Sequence, residues 1–318
     1  KIIVVKLLLK YDSLLPILCT LVILAGMILN SMVGSEVSLG FFSNSSLFRW
    51  MNLGPFWVVQ ILAALSALGV AIFLNRLVQS ESLLGGISNM PFFVISLLFF
   101  ILPLEYNHPI FWIGCMFQIL LIRQTLNIFS GEKISYEIFN QGLTIGGLGI
   151  FNPSFLAYYL ISVRAMVLSA RFDLKKALVV LVAMMIPLYF LNGFLYIIEE
   201  DLLFFSFSAI ADWGFDDTFE FTKAVLLLIV MGIAFFQSRA QLSKATMREK
   251  RRWSLISLSI LIGAFSILSF NYGYWLFTIC VPVSIALARA ILFIKNKWLA
   301  ELYFILILGL IYLFKIDQ

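Results

Sequence analysis

Apolar runs, most of them 16 to 22 residues long, follow one another along almost the whole chain with only short connections between them. A helix needs about 20 apolar residues to cross the hydrocarbon core of a bilayer. We count eleven runs, at about residues 13–33, 55–75, 87–104, 109–128, 138–151, 153–169, 177–198, 222–237, 254–270, 273–294 and 298–315. At 62% hydrophobic and 12% charged, the composition also differs from that of soluble proteins. The sequence therefore predicts an all-α polytopic transmembrane bundle, a single integral membrane domain over 1–318. It excludes a soluble enzyme core and a nucleic-acid partner.

The positive charges predict which way the bundle faces. If the N-terminus is cytoplasmic, nineteen of the 22 Lys and Arg residues fall on the cytoplasmic side and only Arg49, Lys223 and Lys315 fall outside. Lys and Arg collect in cytoplasmic loops of membrane proteins. The split therefore favours eleven crossings, with the N-terminus cytoplasmic and the C-terminus periplasmic.

One part of this topology has two interpretations. The run at 138–151 is short and contains Gly142, Gly146 and Gly147, and Pro153 follows it directly. The segment 138–169 is either two spans or a re-entrant hairpin, which gives eleven spans or nine plus the hairpin. Both interpretations return the chain to the same side.

Three connections differ in character from the others. The segments 34–54 and 199–221 mix acidic and aromatic residues, which is typical of outer-face loops that lie at the membrane surface. Within the second, residues 201–211 are predicted to form a short amphipathic helix. The segment 238–253 is strongly basic and is predicted to be a cytoplasmic loop.

The only histidine lies in a predicted outer turn, three residues after an acid. Glu105 and His108 could share a proton or a metal ion, and both are therefore candidate catalytic residues. The alternative is an interfacial turn with polar residues at the headgroup level. The sequence predicts no dedicated cofactor; a divalent cation held by this pair and by acids of the 199–221 loop is the one that it leaves open.

A second candidate pair lies in the first outer loop. Glu36 is the only acid of that loop, and Arg49 is its only cation. A carboxylate can activate an acceptor hydroxyl, and a guanidinium can hold phosphate oxygens with two parallel hydrogen bonds. Glu36 is thus a candidate catalytic base and Arg49 a candidate phosphate-binding residue. The alternative is one solvated acid and one arginine that binds lipid headgroups.

Short motifs over about residues 74–190 resemble a family of bacterial polytopic inner-membrane proteins of unknown function. The motifs are Asn75-Arg76, Ile122-Arg123-Gln124, Ile138-Phe139-Asn140-Gln141-Gly142, Gly146-Gly147-Leu148, and Arg171-Phe172-Asp173 leading to Pro187. The resemblance implies a multi-pass protein of the bacterial inner membrane.

A more distant resemblance is to the GT-C membrane glycosyltransferases. The chain is similar to them in its cytoplasmic N-terminus, in the outer loop after the first span, and in the glycine-rich segment followed by a basic turn between Gly142 and Lys176. This resemblance implies that an outer-loop acid acts on a polyprenyl-phosphate-linked sugar.

Three functions follow as hypotheses. The first is a GT-C-like glycosyltransferase that acts at the outer face on a polyprenyl-phosphate-linked sugar. The second is a non-catalytic membrane subunit or scaffold of an envelope secretion, motility or biogenesis complex, with integral-membrane partner subunits. The third is a transporter, which the scarcity of charges near span centres disfavours. In each case membrane lipid is the expected surrounding partner.

Overall fold

A computed structural model describes residues 56–84, 88–101, 108–129, 134–151, 153–197, 245–267 and 272–293, with a few single positions elsewhere. Every regular element in these ranges is a helix, which confirms the all-α prediction for this part of the chain. In chain order the helices are α1 (Phe56–Ser80), α2 (Met90–Ile101), α3 (Pro109–Asn127), α4 (Ile134–Phe151), the 3-10 helix η1 (Pro153–Tyr158), α5 (Tyr159–Leu168), α6 (Leu174–Ile197), α7 (Met247–Ile267) and α8 (Tyr272–Phe293).

Three of the described helices are long and apolar enough to cross a membrane. They are Val58–Ser80 in α1, Pro109–Asn127 in α3 and Leu174–Ile197 in α6. The segments Pro153–Leu168 and Thr278–Phe293 are apolar but shorter. The protein is accordingly a membrane protein, while the number of crossings and the orientation stay predictions.

The chain divides into two compact units. The first comprises Lys1–Ile113, Gly214–Glu249 and Cys280–Gln318, and the second comprises Gly114–Trp213 and Lys250–Ile279. The predicted outer loops 34–54 and 199–221, including the predicted helix at 201–211, lie outside the described residues. The single membrane domain over 1–318 therefore stays a prediction.

In the first unit, α1 and α2 pack against each other through amide side chains near the turn that joins them. Asn75 Nδ2 donates to Asn89 Oδ1 at 3.0 Å, and Gln79 Nε2 donates to the same oxygen at 3.3 Å. The turn is closed by Ser82 in the left-handed region, at φ 49°. Arg289 of α8 donates from Nη1 to the main-chain oxygen of Leu83 at 3.1 Å, which ties α8 to this turn.

In the second unit, two glycines of α4 allow it to pack directly on the backbone of α6. A Cβ on Gly142 would lie 2.5 Å from both Ala183 Cβ and Val180 O, and a Cβ on Gly146 would collide with Met184 O. Small residues four apart let membrane helices approach closely. Because the contacts advance along both helices together, α4 and α6 run parallel.

Parallel packing requires the chain to return between α4 and α6, and η1 with α5 provides that return. Asn127 Nδ2 donates to Glu137 Oε1 at 3.1 Å, and Arg171 Nη1 donates to Ile128 O at 3.0 Å. The end of α3, the start of α4 and the end of α5 thus lie at one end of the unit. The chain thus runs along α4 and returns through η1 and α5, which is the reversal predicted over 138–169. The choice between two spans and a re-entrant hairpin stays open.

The basic segment predicted as a loop over 238–253 is partly helical. α7 begins at Met247, because Thr246 and Glu249 form a capping box. Glu249 N donates to Thr246 Oγ1 at 3.3 Å, and Thr246 N donates to Glu249 Oε2 at 3.1 Å. This reciprocal pair satisfies main-chain donors that a helix start leaves without partners. The predicted boundary at 253 was wrong by about two turns, since residues 247–253 belong to the helix.

Candidate functional site

The best-defined polar cluster of the second unit surrounds one main-chain oxygen of α8. Pro282 lies inside this helix and has no N–H, so it cannot bond the carbonyl of Thr278 four residues earlier. Gln118 Nε2 donates to Thr278 O at 2.6 Å, and the Tyr158 hydroxyl donates to the same oxygen at 2.7 Å. In an apolar interior every main-chain polar group needs a protein partner. Two side chains from other helices therefore replace the missing helical bond.

The local sequence explains how Tyr158 reaches this position. Pro153 starts η1, where three residues make one turn, so Phe155 and Tyr158 project from the same side. Their ring centroids are 5.2 Å apart and both side chains are fully buried. The phenol is thereby fixed beside Gln118, whose Nε2 also donates to its oxygen at 2.8 Å.

The same unit contains buried polar atoms that have no hydrogen-bond partner among the described residues. They are Gln118 Oε1, the Ser162 hydroxyl and both amide atoms of Gln141. All three side chains are 0% exposed. An unsatisfied buried polar group costs about 1–3 kcal/mol. These groups are neutral, so they are suited to hydrogen bonding with water or a hydroxyl and not to acid–base catalysis.

His108 is the only predicted site residue that lies within the described ranges. It immediately precedes α3, where its Nδ1 accepts a hydrogen bond from the Ile110 N–H at 3.3 Å. Pro109 occupies the first helical position, which suits a residue without an N–H. Burial lowers the pKa of His108 to about 4, so the ring is neutral at pH 7. The structure thus gives His108 a capping role, and its predicted catalytic role stays a prediction.

The other three predicted residues, Glu36, Arg49 and Glu105, lie outside the described residues. Within the described ranges, no group of three or more His, Cys, Asp or Glu side chains could hold a metal ion.

A second feature of the second unit is the exposed side of α6. In the most apolar 18-residue stretch of α6, only 28% of the residues are buried. A stripe at helical spacing is exposed along it, formed by Leu178, Val182, Met185, Tyr189, Gly193 and Tyr196. Tyr189 is 77% exposed and makes no hydrogen bond with any described residue; its ring lies 6.1 Å from that of Phe190, between centroids. Apart from its own helix backbone and its two chain neighbours, no atom of the described residues lies within 4 Å of where a Cβ on Gly193 would be, so the stripe has a notch there.

Comparison with known proteins identifies no relative. No family model matches the chain, and neither a curated protein nor a solved structure matches it.

Sequence reasoning missed both Gln118 with Tyr158 and the notch at Gly193. The sequence did contain an indication of the Gln118 and Tyr158 cluster. Pro282 lies in an apolar run and has no N–H, so the carbonyl of Thr278 needs a hydrogen-bond donor from elsewhere. Nothing local identifies the donor, since many apolar runs of this chain contain an amide or a hydroxyl. For the notch, the glycine itself was visible, but its exposure was not.

Proposed function

We propose that this protein is a membrane subunit that binds a transmembrane helix of another integral membrane protein through the exposed stripe of α6. In this proposal the chain crosses the bacterial inner membrane about eleven times, and α4, which packs on α6, supports the stripe from the other side of that helix. Of the three hypotheses from the sequence, this is the second, the non-catalytic subunit of an envelope complex.

The observation that carries the proposal is the position of Tyr189. α6 has 24 residues and is thus about 36 Å long, and Tyr189 lies roughly 5 Å from its midpoint. Tyrosine is enriched at the membrane–water interface, where its hydroxyl reaches water. Near the centre of a bilayer that hydroxyl faces acyl chains, which cannot accept a hydrogen bond. A neighbouring helix with a carbonyl, amide or hydroxyl group supplies what lipid cannot.

Gly193 supports the same interpretation. It lies one turn from Tyr189 on the stripe, and Tyr196 lies three residues further along. Helix pairs in membranes pack closely where one of them has a small residue. The two tyrosines around the open position form a notch into which a partner helix fits.

Photo-crosslinking in native membranes tests this function. A photoreactive residue at Met185, one turn from Tyr189, should give an adduct of fixed mass with a second protein, and Gly193→Leu should abolish it by filling the notch. The control position is Leu65 of α1, which is 60% exposed and should give lipid adducts only. If Met185 also captures only lipid, or crosslinks within its own chain, the proposal fails.

The glycosyltransferase hypothesis stays a separate proposal. It depends on Glu36, Arg49 and Glu105 and on the resemblance to the GT-C enzymes. Its test is the substitution Glu36→Gln, which removes the candidate base and keeps the size of the side chain.

A further inference from the structure

The turn between α5 and α6 contains three cationic side chains, Arg171, Lys175 and Lys176, and its backbone is fixed by hydrogen bonds. Ala170 is in the left-handed region at φ 56°, and Arg171 N donates back to Met166 O at 2.9 Å. This arrangement is a common way to end a helix tightly. Asp173 then caps α6 by accepting from the Lys175 N–H at 3.1 Å. The chain between the two helices is therefore short and fixed by hydrogen bonds at both ends.

Two of the cations are anchored to main-chain oxygens. Arg171 Nη1 donates to Ile128 O at 3.0 Å, at the end of α3, and Lys176 Nζ donates to Arg171 O at 3.3 Å. Both side chains are half-buried, while Lys175 is exposed. Each anchored group uses one donor in this way. Within the part of the chain that the structure describes, none of the three cations forms an ion pair.

Three positive charges beside the N-terminus of α6 repel one another and the positive end of the helix dipole, unless an anion lies among them. Lys175 and Lys176 lie in the first turn of α6, where the helix dipole is positive and favours negative groups. The carboxylate of Asp173 is the only acid of the turn, and one of its oxygens caps the helix. Positive-inside orientation requires cations near this end of the span, but it does not require Arg171 and Lys176 to be held half-buried beside a helix N-terminus.

We infer that this turn binds the phosphate group of an anionic phospholipid. The turn joins the end of the apolar segment Pro153–Leu168 to the start of the span Leu174–Ile197, so it lies at the level of the lipid headgroups. The remaining guanidinium N–H groups of Arg171 offer a planar pair of donors for phosphate oxygens, and the two ammonium groups add positive charge.

Native mass spectrometry of the full chain in nanodiscs tests the site. Released from nanodiscs of phosphatidylcholine mixed with phosphatidylglycerol, the wild-type protein should retain phosphatidylglycerol in preference to phosphatidylcholine. Lys175→Gln/Lys176→Gln should weaken that retention roughly thirtyfold, since each cation near an anionic surface contributes about a fivefold factor. The matched control is Arg76→Gln/Lys250→Gln, which removes the same charge from exposed positions on α1 and α7 and should retain the lipid.

Three results would overturn the inference. Equal loss in the control would show a net-charge effect, and full retention in the lysine variant would show that the turn is not the site. Displacement of the lipid by inorganic phosphate at similar concentration would show a site for free phosphate. A further variant, Arg171→Lys, keeps the charge but not the planar pair of donors, so it should retain less lipid than the wild type if the guanidinium holds the phosphate.

Discussion

The hydroxyl of Tyr158 lies 2.7 Å from the main-chain oxygen of Thr278, the carbonyl that Pro282 cannot bond. The two residues are 120 positions apart in the chain, so this bond ties η1 to α8 across a long stretch of sequence. A proline that would otherwise weaken an apolar helix is thus compensated by a specific donor from another helix.

Removing that donor should destabilise the protein, and restoring the helical N–H should rescue it. Tyr158→Phe keeps the ring and should lower the free energy of unfolding by about 1 kcal/mol, because Gln118 remains as the second donor. Pro282→Ala gives Thr278 O its helical partner again. In the Pro282→Ala background, Tyr158→Phe should therefore cost less, which a double-mutant cycle measured by denaturation in mild detergent would reveal. An equal loss in both backgrounds would mean that the bond does not compensate for the proline.

The α4–α6 contact predicts a difference between two adjacent glycines. Gly146→Ala places a Cβ against Met184 O and 3.1 Å from Pro187 Cδ, so α4 and α6 must move apart at a cost of about 1–3 kcal/mol. Gly147→Ala is the matched control, since the nearest atom to its Cβ is Phe117 Cε1 at 3.9 Å. Thermal unfolding of the two variants should show a lower midpoint for Gly146→Ala only. Equal midpoints would contradict the close packing.

The buried histidine predicts a pH dependence of stability. Its folded pKa of about 4 lies below the ordinary value of 6.5, so the unfolded chain binds the proton more readily between these values. Stability is then present above pH 6.5 and is lost as the pH falls towards 4, by roughly 3 kcal/mol at most. His108→Asn keeps an acceptor for the helix start but does not titrate. Unfolding midpoints measured from pH 7 to pH 4 should fall more steeply for the wild type than for this variant.

The charge distribution predicts which side of the membrane each loop occupies. Single cysteines introduced at Ser45 and Thr218 should react with a membrane-impermeant maleimide in sealed cells, and one at Ser243 should react only after lysis. These positions lie outside the described residues, so labelling is the direct measurement. Reaction of the Ser243 position in sealed cells would refute the predicted topology.

The glycosyltransferase hypothesis predicts that Glu36→Gln abolishes turnover while the protein still inserts. Loss of a general base commonly lowers the rate by about 10²–10⁴. Arg49→Lys should also be severe, because an ammonium cannot replace the two parallel hydrogen bonds of a guanidinium. Sugar transfer from a polyprenyl-linked donor would be assayed in membranes that contain each variant. Wild-type activity in Glu36→Gln would remove the catalytic role of that residue.

Part of the fold could be predicted because it depends on local properties of the chain. Apolar runs and their lengths predict the helices, and the structure confirms helices over all the described ranges. The start of α7 could have been predicted in the same way, since Thr246 and Glu249 are three residues apart and cap one helix start. The reversal after the glycine-rich segment was also predicted, because Asn152 and Pro153 favour a break in the chain at the end of α4.

The sequence by itself thus determined the helical character of the described residues and the membrane environment, since hydrophobicity and its periodicity act within a few residues. Only the tertiary structure decided which amide and which phenol meet Thr278 O, for Gln118 is 160 residues away from it. It also decided that Gly142 and Gly146 face α6 while Gly193 faces outward, although all three are glycines in apolar helices. The reason is physical: a helix presents every residue on some face, and only the packing of other helices determines which faces are covered.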